Sequence, residues 1–333
     1  MRVIVSGTVV PAIAGTSESW KLHRLLGFAV EGRHAIVFED SKHLLSWLET
    51  VDQSSRGAYL TALGLASRML AALPANVATI RIDTGNYCWN DPLSILSLDD
   101  ALQTLAEPLG VLVENSENDW YFLRGMMLKS ERQRTQKLLD KGWLLPVHGG
   151  GSTLIDKFKE RIAIPSKGLR TFVMFDSDRV HPDEHHPTWT TARPGKQPAS
   201  CFAFEWEKAI SQVMPARYWM LRRRFIESYM PKSELLIAGA SQESVAALHS
   251  LPTEARWFFN MKAGLTRDAG RHDSERAKGL FDELTDAHRQ ALAQGLVNKL
   301  ADHYEKAITS EFDWDTEARQ EARTAIPKLT RLY

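Results

Sequence analysis

Cysteine is nearly absent: Cys88 and Cys201 are the only two in 333 residues. Without CxxC spacing they write neither a disulfide framework nor a Cys-rich zinc site, and the reduced thiols of a cytoplasmic protein are expected. Charge of one sign is lacking too, since 41 Lys and Arg balance 41 Asp and Glu. A nucleic-acid partner would therefore need a local basic patch, because no global positive field exists. No stretch approaches the roughly 18 consecutive apolar residues of a membrane span, so no membrane partner is expected. The opening "MRVIVSGTVVPAIAG" holds Ala12-Ile13-Ala14, which mimics a signal-peptidase site. A single Arg precedes it, however, and Ser6, Gly7, Thr8 and Pro11 break the apolar run, so an N-terminal strand is expected instead. The G-x-x-x-x-G-K-[ST] phosphate loop is missing, as are internal sequence repeats and low-complexity tracts.

What is there is an ordinary globular composition, 44% apolar and 25% charged, in a chain long enough for two or three domains. Residues 1–95 read as an α/β region of unassigned role. Strands are expected at "RVIVSGTVV", "HAIVFE" and "VATIRID", with helices at "DSKHLLSWLETV" and "RGAYLTALGLASRMLAAL". "NYCWNDP" supplies turn residues, and Ser97 followed by Asp100 predicts a helix cap. From residue 108 to about 235 the rhythm becomes strand, helix, strand, helix, strand: "GVLVE", "DWYFLRGMML" with "SERQRTQKLLDKG", "WLLPVH", "GGGSTLIDKFKERI" and "RTFVMFD". Apolar strands alternating with amphipathic helices predict a parallel sheet covered on both faces. Residues 181–200 read as a long polar loop, followed by a helix at "FEWEKAISQV" and a short strand at "RYWML". Residues 236–333 look wholly helical, with "DAHRQALAQGLVNKLADHYEKAI" as one helix, "AKGLFDEL" as another, and a last segment interrupted by Pro327.

Two of these strands end in acid. "VLVENSENDW" places Glu114 at the end of an apolar run, and "TFVMFDSDRV" places Asp176 and Asp178 there. In open parallel sheets the site lies at the carboxyl ends of the strands. Three carboxylates brought together repel one another and lose hydration, which a hard divalent cation such as Mg²⁺ offsets with oxygen ligands. Taken singly, "DSD" reads as a helix cap and Glu114 as the partner of an Arg or Lys. Together, with a glycine turn "HGGGST" on the intervening strand, they favour a metal site. Gly149 and Gly150 in that turn are expected either to offer backbone N–H groups to phosphate or to serve as a plain strand-to-helix turn.

"VLVENSENDWYFL", "HGGGST" and "VMFDSDR", in this order, resemble a Toprim domain, shared by topoisomerases, DnaG-type primases, small ribonucleases and the nucleases of the overcoming-lysogenization-defect family. The resemblance implies a Rossmann-like parallel sheet flanked by helices over about a third of the chain. It makes Glu114 the acid/base or metal-ligating glutamate, and Asp176 and Asp178 ligands of Mg²⁺ or Mn²⁺. Asn115 stands where nuclease-type members often carry Gly, and Asn118 where they carry a further acid; Asp119 is the nearby residue offered for that role. "RYWMLRRRFIESYMP" resembles the basic strand and following motif of bacterial nuclease-type members, setting Arg222, Arg223 and Arg224 beside Glu227. On a strand Arg222 and Arg224 would share a face and contact a phosphate backbone, with Arg223 opposite; the alternative is a solvated charge run. Lys262 in "FFNMKAGL" matches the downstream lysine of such nucleases, and is otherwise a surface lysine. His181, His185 and His186 read as solvated loop histidines rather than a zinc site.

The activity so implied is a metal-dependent nuclease acting on DNA or RNA, working with an ATPase supplied in trans and often serving bacterial defence against phage. The alternative is a Toprim-derived interaction or sensor subunit that binds nucleic acid or nucleotide without cutting. No Ser-His-Asp or Cys-His arrangement competes.

Overall fold

A computed structural model describes residues 1–72, 76–185, 202–269, 277 and 279–333. Two four-stranded sheets organise the chain, and every strand pair in them is parallel. The first sheet contains β1 (Arg2–Val5), β2 (Ala35–Phe38), β3 (Thr79–Ile82) and β4 (Leu93–Leu96). The second contains β5 (Leu109–Val113), β6 (Leu144–His148), β7 (Thr171–Phe175) and β8 (Tyr218–Met220). The class is therefore α/β, two parallel sheets flanked by helices, compatible with a Rossmann-like fold.

Parallel strands must be covered on both faces, which explains why β5 and β7 are buried at every residue. Successive side chains face opposite ways. Val111, Val113, Phe172 and Met174 enter the main core, while Leu112, Val173 and Phe175 pack with Leu154, Phe158 and Ile210 in a second cluster. The two sheets share one topology that no sequence repeat announces. Their orders are β2-β1-β3-β4 and β6-β5-β7-β8, so in each the first strand lies between the second and the third. Each sheet thus has a switch point between its first and third strands, where ligands bind in open α/β sheets.

Several expectations need correction. "RVIVSGTVV" is a strand only over Arg2–Val5; the Val9 N–H returns to the Ser6 carbonyl at 3.1 Å, and Val9–Ile13 is helical. The helix Trp20–Val30 and the short strand β4 were not legible, the latter because four residues behind Pro92 give little periodicity. Ser97 does cap its helix, accepting the Asp100 N–H at 3.1 Å. The long helix expected near the C-terminus is divided into Asp286–Ala291 and a 3₁₀ stretch, Leu300–Ile308. Between them the chain crosses another segment backbone to backbone. A Cβ on Gly295 would lie 2.2 Å from the Lys262 carbonyl oxygen, and one on Gly264 would lie 2.3 Å from the Gln294 carbonyl carbon. A continuous helix cannot make that approach. Residues 279–283 of "AKGLFDEL" form turns rather than a helix, and Lys278 lies outside the described residues. Pro327 does not interrupt the last segment but falls within the helix Thr316–Thr330. Of the expected loop 181–200, Pro182–His185 forms a 3₁₀ turn and residues 186–200, His186 included, lie outside the described residues.

Candidate active site

The strand register brings the acids together. Leu112 of β5 pairs with Val173 of β7, and Val113 pairs with His148 of β6. Continuing two residues sets Glu114 beside the end of β7, at the switch point of the second sheet. There the Asp176 N–H donates to Glu114 Oε1 at 3.0 Å, so the Glu114 carboxylate lies against the Asp176 backbone. Asp176 Oδ1 in turn accepts the Ile226 N–H at 3.0 Å. In the first sheet the equivalent positions are Ser6 and Asp83, so only the second sheet sets an acid on both central strands.

Asp178 follows with φ +52°, in the left-handed region, and its N–H donates to the Arg224 carbonyl at 3.1 Å. Aspartate tolerates that conformation better than most residues, yet a strained position of this kind marks functional turns. Asp119, buried in the first turn of the helix Asn118–Met126, accepts the Asn115 N–H at 2.8 Å through Oδ2. Glu227, 3% exposed, pairs through Oε1 with Lys262 Nζ at 3.3 Å, while its buried Oε2 has no hydrogen-bond partner. Lys262 lies in a turn, half exposed, with its ammonium 4.4 Å from the centre of the Phe225 ring.

The electrostatics follow from this crowding. Burial, then the charges of Asp178 and Asp119, push Glu114 up to about 7, against the Asp176 N–H and Lys262. Burial raises Asp119 to about 6, with Glu227 adding to the shift and the Asn115 N–H opposing it. Asp176 is raised well above the carboxylate range by burial, then by Glu114 and Asp119. Burial disfavours the Lys262 charge, but Glu227, Asp176 and Asp119 outweigh it and raise the ammonium's pKa. Bound protons relieve the crowding in the metal-free cluster, and a cation would relieve it in the same way. Among the described residues no group of three or more His, Cys, Asp or Glu forms a ready-made ion cage. The donors are nonetheless all hard carboxylate oxygens, one of them buried and unpartnered, which suits Mg²⁺ or Mn²⁺ in chemistry.

Other expected site residues are placed differently. Gly149 and Gly150 do not present free N–H groups to a phosphate: they donate to the carbonyls of Val113 at 2.7 Å and Glu114 at 3.0 Å. The glycine turn holds the end of β5, and a Cβ on Gly149 would lie 2.9 Å from the Val113 carbonyl oxygen. The basic run is not on a strand, because β8 stops at Met220 and residues 222–225 are bends. Arg222 is exposed, but Arg224 is buried, reaching the Phe258 carbonyl at 3.3 Å, so the two do not share a face. Arg223 is buried against Tyr229 and Trp257 and makes two bonds to Asp315, at 2.6 and 2.7 Å. Arg217 is likewise buried, 3.1 Å from Asp91.

Two supporting residues were invisible in the sequence. Tyr304 and Glu321 reach the 222–226 segment from far down the chain, and nothing local in "DHYEK" or "RQEAR" signals it. No family model, no curated protein and no solved structure matches this chain.

Proposed function

We propose that the chain is a metal-dependent nuclease of Toprim type. The observation that supports this best is the Glu114 carboxylate lying on the Asp176 N–H at the switch point, with Glu114 raised by burial and by the charges of Asp178 and Asp119, and Asp176 by burial and by Glu114 and Asp119. Glu114, Asp176 and Asp178, with Asp119 or Glu227 beside them, would hold Mg²⁺ or Mn²⁺, which supplies Lewis-acid stabilisation of charge on phosphate oxygens when bound. Glu114 has a pKa of about 7 in the metal-free cluster, and where it stays off the ion it is suited to take the proton of an attacking water. Lys262, half exposed beside the acids, offsets charge on the scissile phosphate. Arg222, at the exposed edge, holds a neighbouring phosphate. DNA or RNA would be the substrate, and the resemblance adds an ATPase in trans and a role in defence against phage.

The alternative, a non-cutting Toprim-derived binding subunit, is favoured by one observation. Asn118 stands where nuclease-type members carry an acid, and its amide is committed to Asp302 Oδ1 at 2.9 Å. Incubation of the purified protein with plasmid, single-stranded DNA and RNA, with Mg²⁺, Mn²⁺ or EDTA, separates the two. Metal-dependent cleavage lost in Asp176→Asn supports the nuclease. Metal-dependent binding without cleavage supports the alternative, and a protein that neither cuts nor binds nucleic acid would sink both.

A further inference from the structure

We infer that Tyr304 is a positioning residue for the Asp176 carboxylate, an inference that rests on the reading of Asp176 as part of a metal site. Tyr304 lies in the 3₁₀ stretch Leu300–Ile308 and is fully buried at 0% exposure. Its hydroxyl donates to the Ile226 carbonyl at 2.6 Å. The N–H of that same Ile226 donates to Asp176 Oδ1 at 3.0 Å. One residue is therefore gripped at its carbonyl and grips the acid with its amide.

The hydroxyl has little freedom to aim elsewhere. The Tyr304 ring stacks on Trp314 at 5.9 Å and 19°, and meets Phe122 edge-on at 5.2 Å. The segment is held at its other end as well: Glu321 Oε1 accepts the Arg222 N–H at 2.9 Å, and Glu321 Oε2 accepts the Tyr229 hydroxyl at 2.8 Å. Residues 222–226, which carry the partners of both Asp176 and Asp178, thus owe their position to the end of the chain. Metal ligands must be held to roughly 0.5 Å of their working geometry by supporting bonds of this sort. Without the Tyr304 hydroxyl the Ile226 carbonyl loses the side-chain donor that fixes it, which would let the turn Ile226–Tyr229 shift and release one oxygen of Asp176.

Tyr304→Phe tests this, since it keeps the ring and removes only the hydroxyl. Amide hydrogen exchange followed by NMR reads the anchor without any metal. Exchange at Ile226 should quicken roughly 3- to 10-fold, the worth of one hydrogen bond, while the β7 amides keep wild-type rates. A Mn²⁺ titration followed by electron paramagnetic resonance reads the consequence: the midpoint should rise by a similar factor, with melting within a few degrees of wild type. Unchanged exchange at Ile226 overturns the inference, whether or not the wild type binds Mn²⁺. Faster exchange with an unchanged midpoint also overturns it, leaving a tyrosine that is only structural. A wild type that fails to bind Mn²⁺ removes the metal-site reading and this inference with it, and the exchange data show which of the two failed first.

Discussion

At the scale of single residues, the site is defined by unfavourable charge. Glu114 holds its proton to about 7 instead of the ordinary 4.5, and Asp119 to about 6 instead of 3.8. The folded protein binds these protons more tightly than the unfolded chain. The stability they contribute is therefore complete below the unfolded values, and is lost as pH rises through the folded ones. In EDTA, Glu114→Gln should match wild-type melting within about a degree near pH 4, and exceed it by a few degrees near pH 7.5. A variant that melts lower than wild type at the higher pH would show that Glu114 is stabilising, not strained. Asp178→Asn removes the largest charge acting on Glu114 and keeps a residue that tolerates positive φ. Carbon-13 NMR should find the Glu114 titration moved towards the acid side, with melting held or raised; an unmoved titration would mean the two groups do not interact.

At the scale of elements, the apolar runs of β5 and β7 and the acids at their ends were legible because buried parallel strands leave a continuous signature. The basic run was misread because alternation was carried past the end of β8, where the backbone bends. The correction changes what the arginines should do. Arg222→Ala should weaken nucleic-acid binding across sequences and flatten the plot of log affinity against log salt by about one unit, as loss of one phosphate contact does. Arg224→Ala should instead lower stability by about 1–3 kcal/mol, because its guanidinium is a buried donor to the Phe258 carbonyl. Fluorescence anisotropy at several salt concentrations, with thermal melts alongside, distinguishes them. An Arg222→Ala protein with the wild-type slope would remove Arg222 from the interface.

At the scale of the whole molecule, the three regions suggested by the sequence share one core. Val3 and Ile80 of the first sheet, Val111 and Phe172 of the second, and Tyr304 and Leu329 of the C-terminal region belong to a single buried cluster. Asp91 fastens the same regions electrostatically, lying 3.1 Å from Arg217 and 2.8 Å from Arg331, with all three side chains at most 11% exposed. Removing Asp91 would leave two buried guanidinium groups without their counter-charge. Asp91→Ala should cost about 3–5 kcal/mol. Denaturant unfolding of the wild type should show one transition by fluorescence and by circular dichroism. Two separated transitions would mean that residues 1–95 form an independent domain.

The sequence by itself determined the elements whose signal is local: alternating strands and helices, the Ser97 cap, and the acids Glu114, Asp176 and Asp178 at strand ends. Burial on both faces and the needs of a helix start act over a few residues, so they leave a readable pattern. Only the tertiary structure decided that the two sheets share a strand order, and that Gly149 and Gly150 spend their N–H groups on β5. It alone decided that Arg223 and Arg224 are buried, and that Tyr304 and Glu321 hold the segment from Arg222 to Ile226. Each of these depends on which distant backbone arrives beside a given residue, and Tyr304 meets Ile226 across 78 positions of chain. A contact at that separation is selected by the packing of the whole core, so no window of neighbouring residues records it.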